Sequence, residues 1–352
     1  MQSRICDFIN GGPGDFEQLA MEVFEFQRER NPIYRAFCDR QPKPTHWKEI
    51  PAVPTSAFKD FPIACFPIEE AVAVFHTSGT TREKAGKHYF KTLELYEAAS
   101  KPNFQQHLLN NEARLHMLIL MANRIVAPHS SLASMLDLLR DRFGVTGSMN
   151  LYVDSTEPEV ARSWLKFLVS RLTDAESDRQ PVFLLGTAFS FMHLFDWCET
   201  NKRQVCLAEG SRAMETGGFK GRSREVTKRE LHGLFKKFLG VPPSRIVNEY
   251  GMTELSTQFY DETLRVGHQS DLKDVPHWSR ILIIDPMTGK EAQPGERGLI
   301  RVFDLANLWS AMCIQTEDLG IAHADGRFEV LGRTAGAEVR GCSLNAESFP
   351  TK

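Results

Sequence analysis

The chain has 352 residues, of which 42% are hydrophobic and 25% charged, and its formal net charge is −3. These values describe a globular protein and exclude a bulk electrostatic attraction to nucleic acid or to an anionic membrane. No apolar run approaches the roughly 20 residues of a membrane span, and residues 1–12 contain no apolar signal region. The seven cysteines are scattered without a C-x-x-C pair. We therefore expect a cytoplasmic protein without disulfides or a cysteine zinc site.

The first third of the chain mixes helical and irregular patterns. Residues 15–30 carry apolar side chains at helical spacing, which predicts an amphipathic helix. Residues 42–63 are too rich in proline for regular structure, and we expect them to run over the surface. They lead towards the sequence HTSGTTREKAG at 76–86.

From about residue 112, short apolar runs alternate with helical patterns. The runs predict buried strands at 114–122, 148–154, 181–187, 204–210 and 244–251. Helices are predicted around 130–144, 161–172, 190–202 and 227–240. The last of these helices begins with a capping box formed by Thr227 and Glu230 and ends at Gly240. Buried strands that alternate with helices predict a mostly parallel sheet covered on both faces.

After residue 278 the pattern changes to short strands separated by turns. These strands are predicted at 279–286, 298–304, 311–318 and 327–333, without helices between them, which indicates an antiparallel sheet or partial barrel. The predicted fold is therefore α/β, with mostly parallel sheets flanked by helices and a C-terminal antiparallel β subdomain. We divide the chain into a core at 1–333 and a short tail at 334–352. Within the core we distinguish a helical and irregular lead-in at 1–110, an α/β part at 111–277 and an antiparallel part at 278–333.

A row of hydroxyl and glycine residues marks a candidate phosphate-binding loop. Thr77, Ser78, Gly79, Thr80 and Thr81 can surround an anion with backbone N–H groups and hydroxyls. The order of a Walker loop is absent. Taken alone, such a loop is more often a solvated turn.

Two further polar loops follow predicted strands, where ligands of α/β sheets bind. One contains the paired glycines Gly217 and Gly218. The other is NEYGMTEL at 248–255, which combines Tyr250, Thr253 and Glu254 around a glycine. An aromatic ring can stack on a base, a hydroxyl can hold an oxyanion, and a carboxylate can hold Mg²⁺ beside phosphates. In isolation, this second loop is more often a turn with an exposed Glu.

Four motifs in order resemble the adenylate-forming superfamily, whose members activate carboxylic acids with ATP as acyl-adenylates. The motifs are HTSGTT at 76–81, NEYGMTE at 248–254, TEDLG at 316–320 and GRFEVLGR at 326–333. The resemblance implies a fold like the N-terminal domain of these enzymes, with ATP and Mg²⁺ as cofactors.

The resemblance also implies a role for each motif residue. The loop Thr77–Thr81 would cover the ATP phosphates, and Glu254 would hold Mg²⁺. Thr253 would contact the α-phosphate or the substrate carboxylate. The residues expected around the adenine and the ribose are Gly217, Gly218, Tyr250, Gly251, Asp318 and Arg333.

The sequence departs from the superfamily pattern in two places. The phosphate loop continues as REKAGK at 82–87 instead of with a glycine and Pro-Lys-Gly, so Lys84 or Lys87 would have to supply the missing charge. Only 19 residues follow Arg333, so we expect the usual C-terminal lid domain and its lysine to be absent.

A similarly short branch comprises the acyl-protein synthetases of the bacterial luminescence fatty-acid reductase system (LuxE type). Residues 51–63, 185–196, 216–225 and 248–261 resemble that branch. The resemblance implies transfer of the acyl group to a cysteine near the C-terminus, here Cys342, and delivery to a reductase-like partner or a carrier. It also implies an acyl pocket that includes Thr187, Ala188 and Phe189. Cys342 could alternatively be a small filler residue.

Two other functions stay open from the sequence. A CoA ligase of the phenylacetate-CoA ligase type would leave Cys342 idle, and a nucleotide-binding scaffold would have lost catalysis. The absence of a G-x-S-x-G motif argues against a serine hydrolase. The histidines His76, His88, His107 and His129 lack metal-ligand spacing and are interpreted as ordinary polar residues, with His76 directly beside the phosphate loop.

Overall fold

The computed structural model describes residues 1–77, 84–109, 114–217 and 226–333. The α-helices in these ranges are α1 (Gln2–Ile9), α2 (Phe16–Arg30), α3 (Pro32–Cys38), α4 (Ala57–Asp60), α5 (Glu94–Phe104), α6 (Ser131–Phe143), α7 (Pro158–Ser177), α8 (Ala188–Thr200), α9 (Lys228–Leu239) and α10 (Thr263–Val266). The strands are β1 (Val53–Pro54), β2 (Ala73–His76), β3 (Lys87–Phe90), β4 (His116–Ile119), β5 (Met149–Asn150), β6 (Val182–Thr187), β7 (Arg212–Thr216), β8 (Ile246–Tyr250), β9 (Phe259–Tyr260), β10 (Ser279–Ile284), β11 (Arg297–Asp304), β12 (Cys313–Ala322) and β13 (Phe328–Arg333). None of these helices is long and apolar enough to cross a membrane.

The central sheet has the strand order β5-β4-β6-β7-β8-β9, and all neighbours except β8 and β9 run parallel. Alternate residues along each strand enter two different apolar clusters. Leu118 and Leu184 belong to the cluster built with α7, α8 and α9, whereas Met117 and Phe183 belong to the cluster built with α5 and α6. The predicted parallel sheet, covered by helices on both faces, is confirmed.

The second sheet, here called the terminal sheet, has the order β1-β12-β11-β10, with β13 also paired to β12. Strands β10 to β13 are antiparallel neighbours, as the sequence predicts. Strand β1 joins them in parallel, with Val53 opposite Ile314. Helices α1 and α2 pack on this sheet in one core cluster.

The expectation that residues 42–63 run over the surface is wrong. Ile50, Val53, Phe58 and Ile63 are all buried in the core of the terminal sheet. Pro54 is tolerated because a proline fits an edge strand, where its missing N–H removes no ladder hydrogen bond. The prolines therefore shorten the regular structure without bringing the segment to the surface.

The prediction of a strand at 204–210 is also wrong, because the strand in this part of the chain is β7, at Arg212–Thr216. The main-chain N–H groups of Val205 and Leu207 donate to the carbonyls of Phe238 and Leu239 at the end of α9. These apolar residues therefore satisfy the helix C-terminus and do not pair with the sheet. The strand predicted at 148–154 is reduced to the two residues of β5.

The predicted start of α9 is confirmed. The hydroxyl of Thr227 accepts from the N–H of Glu230 at 3.2 Å, and the carboxylate of Glu230 accepts from the N–H of Thr227 at 2.7 Å. This reciprocal pair is the capping box that the sequence indicates. The helix covers one face of the central sheet and shares an apolar cluster with Ala213 and Ile246, near the starts of β7 and β8.

Candidate active site

The ends of β8 and β13 meet at the carboxylate of Asp318, which lies within β12. Tyr250, the last residue of β8, donates its phenol hydrogen to Asp318 Oδ2 at 2.9 Å. Arg333, the last residue of β13, donates from Nε to Asp318 Oδ1 at 3.3 Å. Asp318 lies on β12 directly opposite Arg333 in the strand register. Three residues from three separate motifs are thus in direct contact.

The environment of Tyr250 keeps its phenol protonated. Burial, together with the charge of Asp318, raises the pKa of Tyr250 well above its usual range. The ring lies beside Phe259 and Phe328, with ring centroids 6.2 and 6.0 Å away. The neutral phenol is consequently a permanent donor to Asp318, and the aromatic neighbours fix the plane of the ring.

Thr253 is held by both strands of the β2–β3 hairpin. Its hydroxyl donates to the carbonyl oxygen of His76 at 3.3 Å. Its own carbonyl oxygen lies 2.8 Å from Nδ1 of His88, and because a carbonyl can only accept, Nδ1 carries the hydrogen. Burial lowers the pKa of His88 to about 4, so the imidazole is neutral near pH 7. The loop after β8 is therefore attached to the hairpin that precedes the candidate phosphate loop.

The same hairpin closes the candidate phosphate loop at its base. Thr77 donates its N–H to the carbonyl of Gly86 at 2.9 Å, and Gly86 donates its N–H to Thr77 Oγ1 at 2.8 Å. Ser78, Gly79, Thr80 and Thr81 lie outside the described residues. Thr77 directly follows His76, so the base of the loop and the hydroxyl of Thr253 are adjacent. Motifs that are far apart in sequence thus come together at the C-terminal end of β8.

Lys84 and Lys87, which could supply the positive charge missing from the phosphate loop, both lie near the base of that loop. Lys84 is exposed and its Nζ lies 3.9 Å from Asp60 Oδ1. Lys87 begins β3 opposite His76 in the hairpin register. The imidazole of His76 stacks on that of His129 with centroids 4.2 Å apart, and burial together with His129 lowers the pKa of His76. Of these residues, His76 contacts Thr253 directly, through its carbonyl oxygen.

Glu254 is buried just beyond Thr253 and is fixed by the terminal sheet. Its carbonyl oxygen accepts from Asn307 Nδ2 at 2.7 Å, and the following main-chain N–H groups of Ser256 and Thr257 donate to Asp304. Within the described ranges no group of three or more His, Cys, Asp or Glu side chains could hold a metal ion. A single carboxylate fits Mg²⁺, which takes one or two protein carboxylates and receives its other ligands from phosphates and water.

Two glycines, Gly217 and Gly251, lie beside the candidate nucleotide site. Gly217 follows β7 with φ of +76°, in the left-handed region that favours glycine. Gly218 lies outside the described residues. A Cβ at Gly251 would collide with Oε1 of Glu249, whose carboxylate also accepts from the hydroxyl of Thr216. Glu249 therefore joins the ends of β7 and β8, and burial raises the pKa of Glu249 to about 7.

The residues expected to line an acyl pocket begin α8 at the same edge of the central sheet. Thr187 lies opposite Thr216 in register, and its Oγ1 caps the helix by accepting from the N–H of Ser190 at 3.0 Å. Ala188 is buried in the apolar core. Phe189 is partly buried against His193. Of the three, only Phe189 presents a large apolar side chain that is not fully buried.

Cys342 lies outside the described residues. Four of the other cysteines are unreactive, because burial raises the pKa of Cys38, Cys65 and Cys313 to about 12 and that of Cys198 to about 11. Cys206 is exposed but lies beside Gly240, at the opposite edge of the central sheet from Tyr250. Neither the buried thiols nor Cys206 is placed to react at the candidate site.

No role for Glu249 or Lys273 is predicted from the sequence, and His88 is interpreted there as an ordinary polar residue. His88 and Glu249 directly contact residues of the motifs, and Lys273 binds the strand that ends at Tyr250. The available signal was the alternation of inward and outward side chains in β3 and β8, which places His88 and Glu249 on buried positions. No comparable local signal marks Lys273.

Known proteins resemble this chain over most of its length. The family model "Acyl-protein synthetase, LuxE" matches residues 16–349. The long-chain-fatty-acid–luciferin-component ligase of Aliivibrio fischeri is 23% identical, and the match covers 94% of this chain and 87% of that protein.

Solved structures of a distant ligase share the fold. An open conformation of 2-hydroxyisobutyryl-CoA ligase in complex with 2-HIB-AMP and CoA gives a TM-score of 0.65 at 14% identity, over 90% of this chain and 73% of that one. The same ligase in the postadenylation state with 2-HIB-AMP gives 0.65 at 14% identity, over 90% and 66%. The family match extends over most of the sequence, from the start of α2 into the tail. The chain therefore belongs to the acyl-protein synthetase (LuxE) family and is an adenylate-forming enzyme.

Proposed function

We propose that this acyl-protein synthetase uses ATP and Mg²⁺ to activate a long-chain fatty acid and then transfers the acyl group to Cys342. The observation that carries the proposal is the convergence of Tyr250 and Arg333 on the carboxylate of Asp318, next to the hairpin that holds Thr253. The fatty acid is inferred from the Aliivibrio fischeri relative, which is a long-chain-fatty-acid ligase. Cys342 is inferred from the family match, which continues to residue 349.

In the first step a carboxylate oxygen attacks the α-phosphorus of ATP, and the bond from that phosphorus to pyrophosphate breaks. The reactants are both anionic, so the barrier falls only if positive charge and hydrogen-bond donors are already in place. The hydroxyls and N–H groups of Thr77–Thr81 would surround the phosphates. The hydroxyl of Thr253 would contact the α-phosphate or the fatty-acid carboxylate. Glu254 would hold Mg²⁺, whose charge offsets that of the phosphates when it is bound.

The nucleoside would lie between the two sheets. The ring of Tyr250 would stack on the adenine beside Gly217 and Gly251. Each oxygen of Asp318 already accepts one hydrogen bond and retains further lone pairs for the ribose hydroxyls. Arg333 is exposed and can turn towards the ribose or a phosphate without unfolding β13.

In the second step the thiolate of Cys342 attacks the carbonyl carbon of the acyl-adenylate. The bond between that carbon and the phosphate oxygen breaks, AMP leaves, and a thioester remains on the protein. A thioester keeps the acyl group activated towards nucleophiles and suits delivery to a reductase-like partner or a carrier. The two steps divide one difficult reaction into two, with the acyl group bound to protein between them.

Labelling of the intact chain tests the transfer step. The protein is incubated with a radiolabelled long-chain fatty acid, ATP and Mg²⁺, separated on a denaturing gel, and treated with hydroxylamine, which cleaves thioesters. We expect a hydroxylamine-labile label that is lost in Cys342→Ser and retained in Cys206→Ser, the matched exposed control. If Cys342→Ser is labelled as well as the parent, the acyl-cysteine step is wrong.

The same reaction separates this proposal from a CoA ligase. Addition of CoA to a CoA ligase yields soluble acyl-CoA at equal rates with the parent and with Cys342→Ser. For an acyl-protein synthetase, Cys342→Ser still releases pyrophosphate but accumulates no acyl-protein. The products are distinguished by chromatography of the supernatant and by the gel.

A further inference from the structure

A buried lysine connects the central sheet with the terminal sheet. Lys273 is 1% exposed, and its Nζ donates to the carbonyl oxygen of Asn248 at 2.8 Å and to the side-chain Oδ1 of the same residue at 2.5 Å. Asn248 lies on β8, two positions before Tyr250. The ammonium group therefore fixes the strand that ends at the proposed adenine-stacking ring.

The main chain of Lys273 is bonded to the other sheet. Its N–H donates to the carbonyl of Phe328 at 2.7 Å, and its own carbonyl accepts from the N–H of Phe328 at 3.2 Å. Phe328 begins β13, the strand that ends at Arg333. One residue thus holds β8 through its side chain and β13 through its backbone.

The strands that Lys273 joins also meet through aromatic contacts. The ring of Phe328 packs against Tyr250 at 6.0 Å and against Phe259 at 5.4 Å, both nearly edge to face. A shift of β13 relative to β8 would move Phe328 and with it the ring of Tyr250. It would also change the separation between Tyr250 and the pair formed by Asp318 and Arg333.

A carboxylate lies near the ammonium group of Lys273, but it is farther from Nζ than the two oxygens of Asn248 are. Asp261 Oδ2 lies 3.8 Å from Nζ and also accepts from the N–H of Asn248 at 2.9 Å. A second lysine, Lys228, lies closer to Asp261, at 3.3 Å, and reaches Asp271 at 2.6 Å. Burying an ammonium group costs free energy, so a buried ion pair is weak support for a purely stabilising role. Among the contacts of Nζ with Asn248 and Asp261, those to Asn248 are the closest.

We propose that Lys273 is a positioning residue for ATP, because it sets the distance between Tyr250 on β8 and the Asp318–Arg333 pair on the terminal sheet. This role rests on the nucleotide contacts of the proposed function. It predicts that loss of the ammonium group weakens ATP binding without weakening binding of the fatty acid.

The test compares Lys273→Met with Lys228→Met. Methionine keeps the length of the side chain and removes its donors, and Lys228 is the matched control because it contacts the same Asp261 but not β8. Affinity for ATP·Mg²⁺ is measured by titration calorimetry, and KM and kcat by ATP–pyrophosphate exchange. For Lys273→Met we expect the Kd and KM for ATP to rise about tenfold, as for the loss of charge-assisted hydrogen bonds, with the KM for fatty acid unchanged. For Lys228→Met we expect both ATP values within about twofold of the parent, as is usual for partly exposed ion pairs.

Several outcomes would overturn the proposal. A folded Lys273→Met with the parent's Kd for ATP would do so, and so would an equal rise in the KM values for ATP and for the fatty acid. An equal effect of Lys228→Met would assign the change to Asp261. If Lys273→Met does not fold, Asn248→Ala is measured instead, since it removes the Oδ1 acceptor; an unchanged Kd for ATP would then overturn the proposal.

Calorimetry separates this proposal from the proposed function. A parent protein that binds ATP but shows no exchange with any fatty acid would contradict the proposed substrate, and the comparison of Kd values would still decide the role of Lys273. A parent with full exchange and unaffected variants would contradict only the role of Lys273.

Discussion

The phenol of Tyr250 and the carboxylate of Asp318 are joined by a 2.9 Å hydrogen bond that links the central sheet to the terminal sheet. The raised pKa of Tyr250 keeps this bond intact over the physiological pH range. The groups proposed to contact adenine and ribose therefore hold each other before a nucleotide arrives. Such pre-organisation reduces the entropy that binding must overcome.

Removal of the Tyr250 hydroxyl tests this link. Tyr250→Phe keeps the ring for stacking but loses the bond to Asp318, so we expect the KM for ATP to rise about threefold to tenfold, as for one lost hydrogen bond of about 1 kcal/mol. The measurement is ATP–pyrophosphate exchange at varied ATP concentration. Tyr34→Phe is the control, because Tyr34 donates a buried hydrogen bond to the carbonyl of Pro51 outside the site. A KM for ATP that is unchanged in Tyr250→Phe, or raised equally in Tyr34→Phe, would count against the link.

The hydroxyl of Thr253 is expected to act in the adenylation step. Thr253→Val has nearly the same shape and lacks the hydroxyl, so we expect kcat for exchange to fall about a hundredfold, a typical effect of removing one donor to a developing anion. Thr253→Ser restores the hydroxyl and should retain most of the rate. Thermal melting of both variants confirms folding. A Thr253→Val variant with the parent's kcat would exclude the hydroxyl from the reaction.

His88 should make stability depend on acidic pH. Burial lowers the pKa of His88 to about 4, so between about pH 6.5 and 4 the unfolded chain binds a proton that the folded protein does not. Stability from this group is complete above pH 6.5 and is lost as pH falls towards 4, by at most about 3 kcal/mol. His88→Phe keeps the ring contacts with Phe58 and Phe90 but lacks this dependence. Urea unfolding at pH 7 and pH 4.5 should show a smaller difference for the variant, and an equal difference would contradict the assignment.

Glu249 should make the free energy of unfolding depend on pH in the opposite direction from His88. Burial raises the pKa of Glu249 to about 7, so between about pH 4.5 and 7 the folded protein keeps a proton that the unfolded chain releases. The contribution of this carboxyl to stability therefore falls as pH rises through that window. Glu249→Gln removes the penalty, and the variant should gain stability relative to the parent between pH 5 and pH 8. The free energy of unfolding in urea at the two pH values measures this, and a constant difference between variant and parent would contradict it.

The fold was predictable where short-range patterns determine it. The capping box of Thr227 and Glu230 begins α9 in sequence and in structure, and the apolar runs of β4, β6 and β8 lie in a parallel sheet. The apolar run at 204–210 was misassigned because its N–H groups bind the end of α9, a contact that no local pattern contains. The proline-rich segment was misassigned because its partner, β12, is about 260 residues away.

In the candidate site, too, residues within motifs could be predicted, whereas a residue placed by long-range contacts could not. Tyr250, Asp318 and Arg333 were each identified from a motif, and the structure brings them into contact. Lys273 could not be found in this way, because an isolated lysine in a polar segment is normally exposed. Its burial follows from the pairing of its backbone with Phe328 and the approach of Asn248, which are both long-range contacts.

ATP–pyrophosphate exchange with a panel of carboxylic acids tests the central claim most directly. The panel runs from acetate through medium-chain to long-chain fatty acids and includes an aromatic acid, with and without a chelator of Mg²⁺. We predict exchange that requires Mg²⁺ and is fastest with long-chain fatty acids, for the parent and for Cys342→Ser alike, because adenylation precedes transfer. Exchange with the aromatic or short acids alone, or no exchange with any acid, would contradict the proposed activation of a long-chain fatty acid.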